Sequence, residues 1–538
     1  MNFFFNNKNL KNIIIYTTFV LFFVIGIISF TDFGVSVDEW DLRILGIINA
    51  NYLLEILSLD LITTKSSIPS LNDYYGSTHG PLFVTTMSLI ENIFNVKDLD
   101  KIYLFRHYTN HFIFLISLVY FFKLVNNRYS DWKIGLIGVI FIFLSPRIFA
   151  HSFFNYKDIL FLSFTIINLY YGTCFLKKSN LRNIILFSIS AAFATNIRVI
   201  GLMIPIVILF IYYIDFLRTN KKNLLNIIFI IFFTLLFTYL FWPYLWTNPF
   251  SKLYEIINRL SSYGWTGYNL YFGEYIKATN LPWHYIFTWI GITTPIFLLI
   301  LFLIGICSYL FRLIKRLLKI SDNGESLNDL WRGKKESEDF IFLICLILPI
   351  MITILLGSPL YNGWRHLFFI YPIIILFSLR GLYLIKLNFF KKKIITFYLI
   401  LTPFILNIAY TNIKYHPHQN NYFNILAGRG AHKNFDMDYW GLGNKQAIEK
   451  ILKEEKNLPI RVASASQVSL ENSMDIFDTN NKKKVIVTII SEADYIIDNY
   501  TYWYGTKAKE RAKIPKNFQL FYEKIIDENK IYSIYRKG

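Results

Sequence analysis

The sequence predicts a multi-span α-helical membrane protein that ends in a soluble α/β unit. Up to about residue 411, apolar runs alternate with short polar connections, and each run is close to the roughly 20 apolar residues that a helix needs to cross a bilayer. The runs are continuous rather than alternating in polarity, which excludes a membrane-spanning β-barrel. After residue 411 the pattern stops, and the composition becomes that of a soluble unit.

About eleven transmembrane helices fit this pattern. The first run, Asn12 to Phe30, resembles a signal peptide, but it is longer than a typical apolar signal core and has no small-residue cleavage site. We therefore interpret it as an uncleaved first helix. The predicted spans lie near residues 12–30, 106–125, 134–150, 158–175, 183–197, 200–217, 223–241, 286–311, 339–357, 366–384 and 394–411.

The positions of the basic residues predict the orientation of these helices. Every connection expected to face the cytoplasm carries several lysines or arginines, whereas the first outer loop, about 31–105, is rich in Asp and Glu. The apolar stretch His79–Phe94 would invert every later loop if it crossed the membrane, so we expect a helix on, or dipping into, the outer surface. The N-terminus is then inside, and an odd number of spans places the C-terminus outside.

The predicted domains follow from this topology. Residues 1–411 form a transmembrane domain with outer loops 31–105 and 242–285, and residues 412–538, here called the tail, form an extracytoplasmic soluble α/β domain. In the tail, the periodicity predicts a helix, three strands and a final hairpin that turns at Asp527-Glu528-Asn529. These elements are Gln446–Lys453, Ile460–Ala465, Lys484–Ile490, Ala493–Ile497 and Phe518–Tyr535.

Charge, cysteines and standard motifs exclude several classes of function. The net charge of +19 comes from basic residues at the ends of apolar runs, where they orient a membrane protein, so nucleic-acid binding is not indicated. Cys174, Cys307 and Cys345 have no metal-ligand spacing, and the tail has no cysteine for a disulfide framework. Neither a P-loop nor a dinucleotide fingerprint is present, and the cytoplasmic loops are too short for a nucleotide-binding domain.

Two acidic loops on the predicted outer face are the first candidates for chemistry. Asp38 and Glu39 follow the first helix, and Asp158 begins the fourth span. Adjacent carboxylates at a membrane interface can act as a general base, bind a metal or simply be solvated, and Asp158 can equally be a helix N-cap. Two separated acidic loops on one face favour a common site more than either loop alone.

Basic residues in the outer half of the membrane form a second group. The positive-inside rule disfavours arginine there, so the presence of these basic residues at the outer ends of spans needs an explanation. They could bind an anionic group such as a lipid phosphate, or they could snorkel or pair with nearby acids. The candidates are Arg106, Lys157, Arg198, Arg365 and His366, with His79 at the start of the surface helix; His107 and Arg147 belong to the same group.

Aromatic residues are concentrated in the loop 242–285. The tryptophans there are Trp242, Trp246, Trp265 and Trp283. Tryptophan is common at membrane interfaces, and sugar rings also stack on its face, so residue type alone leaves both interpretations open.

Together these features resemble the C-type superfamily of integral-membrane glycosyltransferases, in particular bacterial relatives of protein O-mannosyltransferases and lipid A aminoarabinose transferases. The family's Asp-Glu pair after the first helix is matched by Asp38-Glu39, and its later Asp by Asp158, although Lys157 stands where the family often has Thr. Its His-Pro-Pro-Leu stretch is matched by His79-Gly80-Pro81-Leu82, with Gly80 in place of the first Pro.

Part of the tail resembles a C-terminal region of some of these bacterial proteins, for which the resemblance implies no role. The matching stretches are His416-Pro417-His418-Gln419, Tyr422-Phe423-Asn424 and Asp438-Tyr439-Trp440-Gly441.

The resemblance implies an inverting transfer of a sugar from a polyprenyl-phosphate donor to a glycan, lipid or protein acceptor outside the membrane, with Asp38 as the general base. A lipid-phosphate donor would explain both the outer arginines and the missing nucleotide site. It also implies a multi-pass protein of a bacterial inner membrane.

The residues leave open whether a divalent cation assists, since no His-rich ligand set is present. The alternative is a flippase or transporter of a polyprenyl-linked lipid that carries out no transfer chemistry.

Overall fold

The computed structural model describes residues 8–58, 68–219, 222–261, 265–318, 330–456 and 458–538. A large helical part extends to residue 415 and is followed by a mixed part that contains a five-stranded sheet. Eight helices of the described residues are long and apolar enough to cross a membrane, and a bent pair would make a ninth. The chain is thus a multi-pass helical membrane protein with a C-terminal sheet domain, as the sequence predicts.

The helical part also contains one two-stranded hairpin, formed by β1 (Tyr268–Tyr271) and β2 (Glu274–Lys277). Side-chain caps start several of its helices; Asn180, for example, accepts a hydrogen bond from the Asn183 backbone N–H at 3.1 Å. In chain order the helices are α1 (Lys8–Ser29), α2 (Val37–Ile56), α3 (Leu82–Ile93), α4 (Leu99–Tyr129), α5 (Trp132–Phe143), α6 (Pro146–Phe154), α7 (Asp158–Lys177), α8 (Leu181–Ile197), α9 (Met203–Thr219), α10 (Leu225–Leu240), α11 (Pro249–Ser261), α12 (Tyr285–Thr293), α13 (Ile296–Leu317), α14 (Lys334–Leu355), α15 (Tyr371–Phe389) and α16 (Ile394–Tyr415).

All eleven predicted spans fall on helices, but not all of them are single long helices. α8 has 17 residues and α10 has 16, which is shorter than a helix that crosses without adjustment of the bilayer. The count of eleven spans, the cytoplasmic N-terminus and the outer tail therefore stay predictions.

Two predicted spans are interrupted at a proline. The segment 134–150 is not continuous, because α5 ends at Phe143, α6 begins at Pro146, and the two axes differ by 67°. The segment 286–311 is likewise divided at Pro295 into α12 and α13. Proline has no N–H to donate and disfavours helical geometry in the residue before it, which explains both breaks.

The first outer loop contains one helix that the sequence analysis missed. The predicted surface helix at 79–94 is α3, whereas α2, over Val37–Ile56, was not predicted. The two helices pack closely at Gly46, where an added Cβ would lie 2.4 Å from the Val84 carbonyl oxygen. The first turn of α2 carries Asp38 and Glu39, the acidic pair that the sequence analysis singled out.

The helix, the three strands and the final hairpin predicted in the tail are all present, and three short helices, α18, α19 and α20, were not predicted. The elements are α17 (Gly443–Glu454), β3 (Ile460–Ser464), α18 (Leu470–Met474), α19 (Thr479–Lys482), β4 (Val485–Val487), β5 (Tyr495–Asp498), α20 (Thr506–Arg511), β6 (Phe518–Ile526) and β7 (Asn529–Lys537). The sheet has the order β4-β3-β5-β7-β6, in which β3 is parallel to both neighbours and the pairs β5–β7 and β6–β7 are antiparallel. The final hairpin turns at Asp527 and Glu528, which both have positive φ.

The tail is packed onto the helical part by its first segment. The Asn424 side-chain amide donates to the carbonyl oxygens of Gly291 and Thr294, both at 2.6 Å, and so satisfies the backbone at the break between α12 and α13. Gln446 of α17 donates to the carbonyl of Asp32, at the end of α1, at 2.6 Å. The tail therefore shares an interface with the helices rather than hanging from a linker.

Candidate active site

One charged cavity collects most of the predicted site residues. It has a volume of about 460 Å³ and lies where α2, the start of α3, the loop before α7 and the segment after α8 meet the loop between α14 and α15. Its lining includes six of the nine predicted residues, namely Asp38, His79, Lys157, Arg198, Arg365 and His366. The remaining three, Glu39, Arg106 and Asp158, do not line it.

Arg365 joins the two acidic loops. Its Nη1 donates to Asp38 Oδ2 at 3.0 Å and to Asp158 Oδ2 at 3.3 Å. Arg365 begins a short 3₁₀ segment, Arg365–Ile370, that leads into α15, so this side chain is placed by the rigid start of a long helix. The convergence of Asp38 and Asp158 that the sequence predicted is therefore present, with a guanidinium between them.

The two carboxylates differ in how accessible they are. The Asp38 side chain is 40% exposed, whereas that of Asp158 is 1% exposed. Asp158 also pairs with Arg198 and accepts a hydrogen bond from Asn155 Nδ2 at 2.9 Å. The Asp158 carboxylate thus accepts hydrogen bonds from Asn155 and from two arginines. Asp38 is the carboxylate that a substrate can reach.

Lys157 and His79 form a pair at the side of the cavity. Lys157 Nζ lies 3.3 Å from His79 Nδ1. Burial, together with the nearby Arg198 charge, lowers the pKa of Lys157 to about 7. The Lys157 charge, followed by burial, holds the pKa of His79 well below its ordinary value, so His79 is neutral and accepts a hydrogen bond from Lys157.

Glu39 lies beneath the site rather than in it. Its side chain is fully buried, accepts a short hydrogen bond from the Tyr156 hydroxyl and lies 2.9 Å from His107 Nε2. It also accepts from the Ser36 backbone N–H at 2.6 Å, which caps α2. The sequence placed Glu39 in the same site as Asp38, whereas the structure buries it outside the cavity lining, where it supports Tyr156, His107 and the start of α2.

Arg106 is likewise part of the interior. Its Nε donates to Glu91 Oε1 at 2.6 Å, its Nη2 donates to Ser88 Oγ at 3.1 Å, and the side chain has no exposed surface. The sequence placed Arg106 at the mouth of a span, but α4 begins at Leu99 and carries it into the core. The pair ties α4 to α3.

Gly80, which departs from the family pattern, has a steric explanation. A Cβ at this position would lie 1.5 Å from the Asn196 carbonyl oxygen, at the end of α8. The Asn196 side chain in turn accepts from the Leu82 backbone N–H at 2.8 Å and donates to the Phe241 carbonyl at 2.9 Å. Gly80 therefore permits the close approach that fixes His79 at the cavity wall.

Two aromatic residues of the site were not predicted. The Arg365 guanidinium lies 4.8 Å from the ring centroid of Tyr361 and 4.6 Å from that of Trp440. Tyr361 lines the cavity, and Trp440 comes from the tail. Tyr361 could have been suspected from its position four residues before Arg365. Trp440 carried no such signal, although it lies in a stretch that resembles other tails.

A larger cavity, of about 730 Å³, lies between α13 and α16. Its lining includes no charged residue, and its polar side chains include Asn407, Thr411 and Asn424. Such a lining suits hydrocarbon rather than a reacting polar group. The smaller charged cavity is therefore the candidate active site.

Among the described residues, no group of three or more His, Cys, Asp and Glu side chains is placed to hold a metal ion. The two carboxylates nearest each other in the site share the Arg365 guanidinium instead. Asp38 and Asp158 are therefore both paired with an arginine in this arrangement.

Comparison with solved structures gives a likeness of fold. No known family model matches the sequence, and no curated protein sequence matches it. The fold is similar to two crystal structures of ArnT from Cupriavidus metallidurans, one bound to undecaprenyl phosphate and one in the apo state, with sequence identities of 10% and 11%. Each alignment covers 96% of this chain and 97% of the ArnT chain, with a TM-score of 0.45.

Proposed function

We propose that this chain is a glycosyltransferase that moves a sugar from a polyprenyl-phosphate donor to an acceptor hydroxyl at the outer face of the membrane. One observation carries the proposal: a reachable carboxylate, Asp38, lies in the same cavity as three basic side chains. A base for the acceptor and an anion site for the leaving group are the two elements that such a reaction requires.

The basic side chains form the proposed phosphate site. Arg198, Arg365 and Lys157 line the cavity, and the two arginines are both held by the buried Asp158. Arg365 uses Nη1 for the carboxylates. A donor phosphate in the cavity would add charge-assisted hydrogen bonds to these cations.

The proposed chemistry is a single displacement. Asp38 removes the proton from the acceptor hydroxyl, and the oxygen attacks the anomeric carbon. The bond from that carbon to the phosphate oxygen breaks, and the electron pair leaves with the polyprenyl phosphate. Attack opposite the leaving group inverts the anomeric configuration. Arg198 and Arg365 stabilise the charge that develops on the departing phosphate.

Binding of the lipid carrier tests the anion site separately from the chemistry. The purified chain in lipid nanodiscs is titrated with undecaprenyl phosphate and with undecaprenol, which lacks the phosphate. We expect undecaprenyl phosphate to bind at least tenfold more tightly than undecaprenol. Arg198→Gln and Arg365→Gln should remove this difference in affinity. Equal affinity for the two lipids in the unmodified chain would contradict it.

A further inference from the structure

The tail stretches whose role the resemblance leaves unassigned are buried against the helical part. Phe423 and Trp440 are 6% and 2% exposed, and each covers an arginine of the helical part. The Arg147 guanidinium lies 4.7 Å from the centroid of Phe423, and the Arg365 guanidinium lies 4.6 Å from that of Trp440. The tail thus contributes an aromatic ring to each of two buried cations.

Arg365 is in contact with two aromatic rings. Its guanidinium lies over the Tyr361 ring, from the helical part, and over the Trp440 ring, from the tail. The attraction between a cation and a ring is strongest where both are out of water, and Arg365 is only 3% exposed. Two rings packed against the guanidinium limit its movement.

Trp440 is itself held by the tail. The Asp438 carboxylate accepts hydrogen bonds from the backbone N–H of Gly443 at 2.6 Å and of Leu442 at 3.2 Å, and Gly441 has a φ of +71°. These bonds shape the turn that presents the indole. The Thr501 hydroxyl, just after β5, donates to the Asp438 carbonyl at 3.3 Å and so connects the turn to the sheet.

We infer that Trp440 is a positioning residue of the active site, and that through it the tail holds Arg365 in the orientation that receives an anionic lipid phosphate. This inference rests on the proposed phosphate role of Arg365. It assigns the tail to the donor half of the reaction, in addition to any contact with the acceptor. The Trp440 indole Nε1 has no hydrogen-bond partner among the described residues, so Trp440 acts through its ring contact with Arg365.

Phe423 provides a matched comparison. It makes the same kind of contact with a buried arginine, from the same tail, yet Arg147 does not line the charged cavity. Arg147 instead donates from Nε to the Tyr422 carbonyl at 3.0 Å. Loss of the Phe423 ring should therefore weaken packing without changing how the cavity binds phosphate.

The experiment measures the affinities of the full chain in nanodiscs for undecaprenyl phosphate and for undecaprenol, alongside thermal unfolding of each variant. Phe423 lines the larger, apolar cavity, so the ratio of the two affinities, rather than either affinity alone, reports on phosphate binding. We expect Trp440→Met to lower this ratio about tenfold and Trp440→Phe to lower it less than threefold, whereas Phe423→Met should leave it within twofold. Arg365→Gln is included to test the underlying phosphate site. A normal ratio in Trp440→Met, with a lowered ratio in Arg365→Gln, would overturn the inference and leave the proposed function standing; a normal ratio in both would overturn the phosphate role of Arg365.

A second measurement keeps the fold unchanged. Tryptophan analogues with one to four ring fluorines are introduced at position 440 alone, which weakens the negative face of the ring while its shape is nearly retained. We expect the affinity for undecaprenyl phosphate to decrease progressively with fluorine number. An affinity that does not change along the series would show that Trp440 only fills space.

Discussion

The Arg365 guanidinium donates to the Asp38 carboxylate at 3.0 Å, although the two residues are 327 positions apart in the sequence. The same nitrogen lies 3.3 Å from Asp158, which makes Arg365 the junction between the two acidic loops. Asp38 is the exposed member of this group, and Asp158 is the buried one. Replacing Asp38 should therefore affect mainly turnover, whereas replacing Asp158 should also lower stability.

Asp38→Asn should abolish glycosyl transfer and leave folding and membrane insertion intact. The loss of a general base lowers turnover by about 10²–10⁴-fold. The asparagine keeps a side-chain oxygen that can accept from Arg365, and Arg365 stays paired with the buried Asp158, so the fold is retained. Turnover is measured with a labelled polyprenyl-phosphate sugar, and insertion by membrane fractionation. Asp41→Asn, one turn further along α2 and outside the cavity lining, is the matched control and should retain activity.

Asp158→Asn should destabilise the protein as well as weaken donor binding. Its carboxylate is the buried partner of both Arg198 and Arg365, and loss of one partner of a buried ion pair costs about 3–5 kcal/mol. Thermal unfolding in detergent should therefore show a clear decrease for Asp158→Asn and little change for Asp38→Asn. Equal melting temperatures for the two variants would argue against the division of roles between these carboxylates.

Donor binding should weaken as the pH rises through about 7. The pKa of Lys157 is lowered to about 7, so its ammonium charge is present below that pH and is lost above it. Affinity for undecaprenyl phosphate is measured from pH 5.5 to 9. Lys157→Arg should keep the affinity at high pH, and Lys157→Met should remove the pH-dependent step; a step that persists in Lys157→Met belongs to another group.

Glu39→Gln should affect stability more than turnover. Glu39 braces Tyr156, His107 and the start of α2, and an imperfectly replaced buried acceptor costs about 1–3 kcal/mol. The variant should melt at a lower temperature while its turnover at low temperature stays within about threefold of the unmodified chain. Glu55→Gln, at the exposed end of the same helix, is the control. If Glu39→Gln folds normally but shows no turnover, Glu39 takes part in catalysis and the supporting role is wrong.

The predicted topology places the tail and residue 178 on opposite sides of the membrane. In a chain whose three cysteines are first replaced, Tyr504→Cys adds a single thiol in the tail and Lys178→Cys adds one in the connection between α7 and α8. Both positions are exposed. An impermeant maleimide added to intact cells should label only the thiol at position 504. Labelling of position 178 alone would show that the chain has the opposite orientation in the membrane.

Charge position allowed much of the site to be predicted from the sequence. Asp38, Arg198 and Arg365 stand at the ends of apolar runs, where a charge is conspicuous, and all three line the cavity. Glu39 shares that conspicuous position, but α2 was not predicted, and neighbouring residues on a helix point about 100° apart. The pattern Ser36-Val37-Asp38-Glu39 is a capping signal, and it would have indicated both the helix and the capping role of Glu39.

Other features depend on tertiary contacts that no local pattern encodes. Arg106 was expected at a span end, whereas α4 begins seven residues earlier and meets Glu91 inside the protein. Trp440 reaches Arg365 only because the tail folds back on the helices. The breaks at Pro146 and Pro295 had a local signal in the prolines themselves, but the apolar runs around them outweighed it.

Cleavage of the sugar–phosphate bond tests the central claim most directly. The purified chain is incubated with a radiolabelled polyprenyl-phosphate sugar and a bacterial envelope extract as acceptor source, and the lipid products are separated. We expect free polyprenyl phosphate and labelled acceptor to appear together, and neither to appear with Asp38→Asn. If the donor is moved across reconstituted vesicles while its sugar–phosphate bond stays intact, the chain is a flippase and the proposed transfer is wrong.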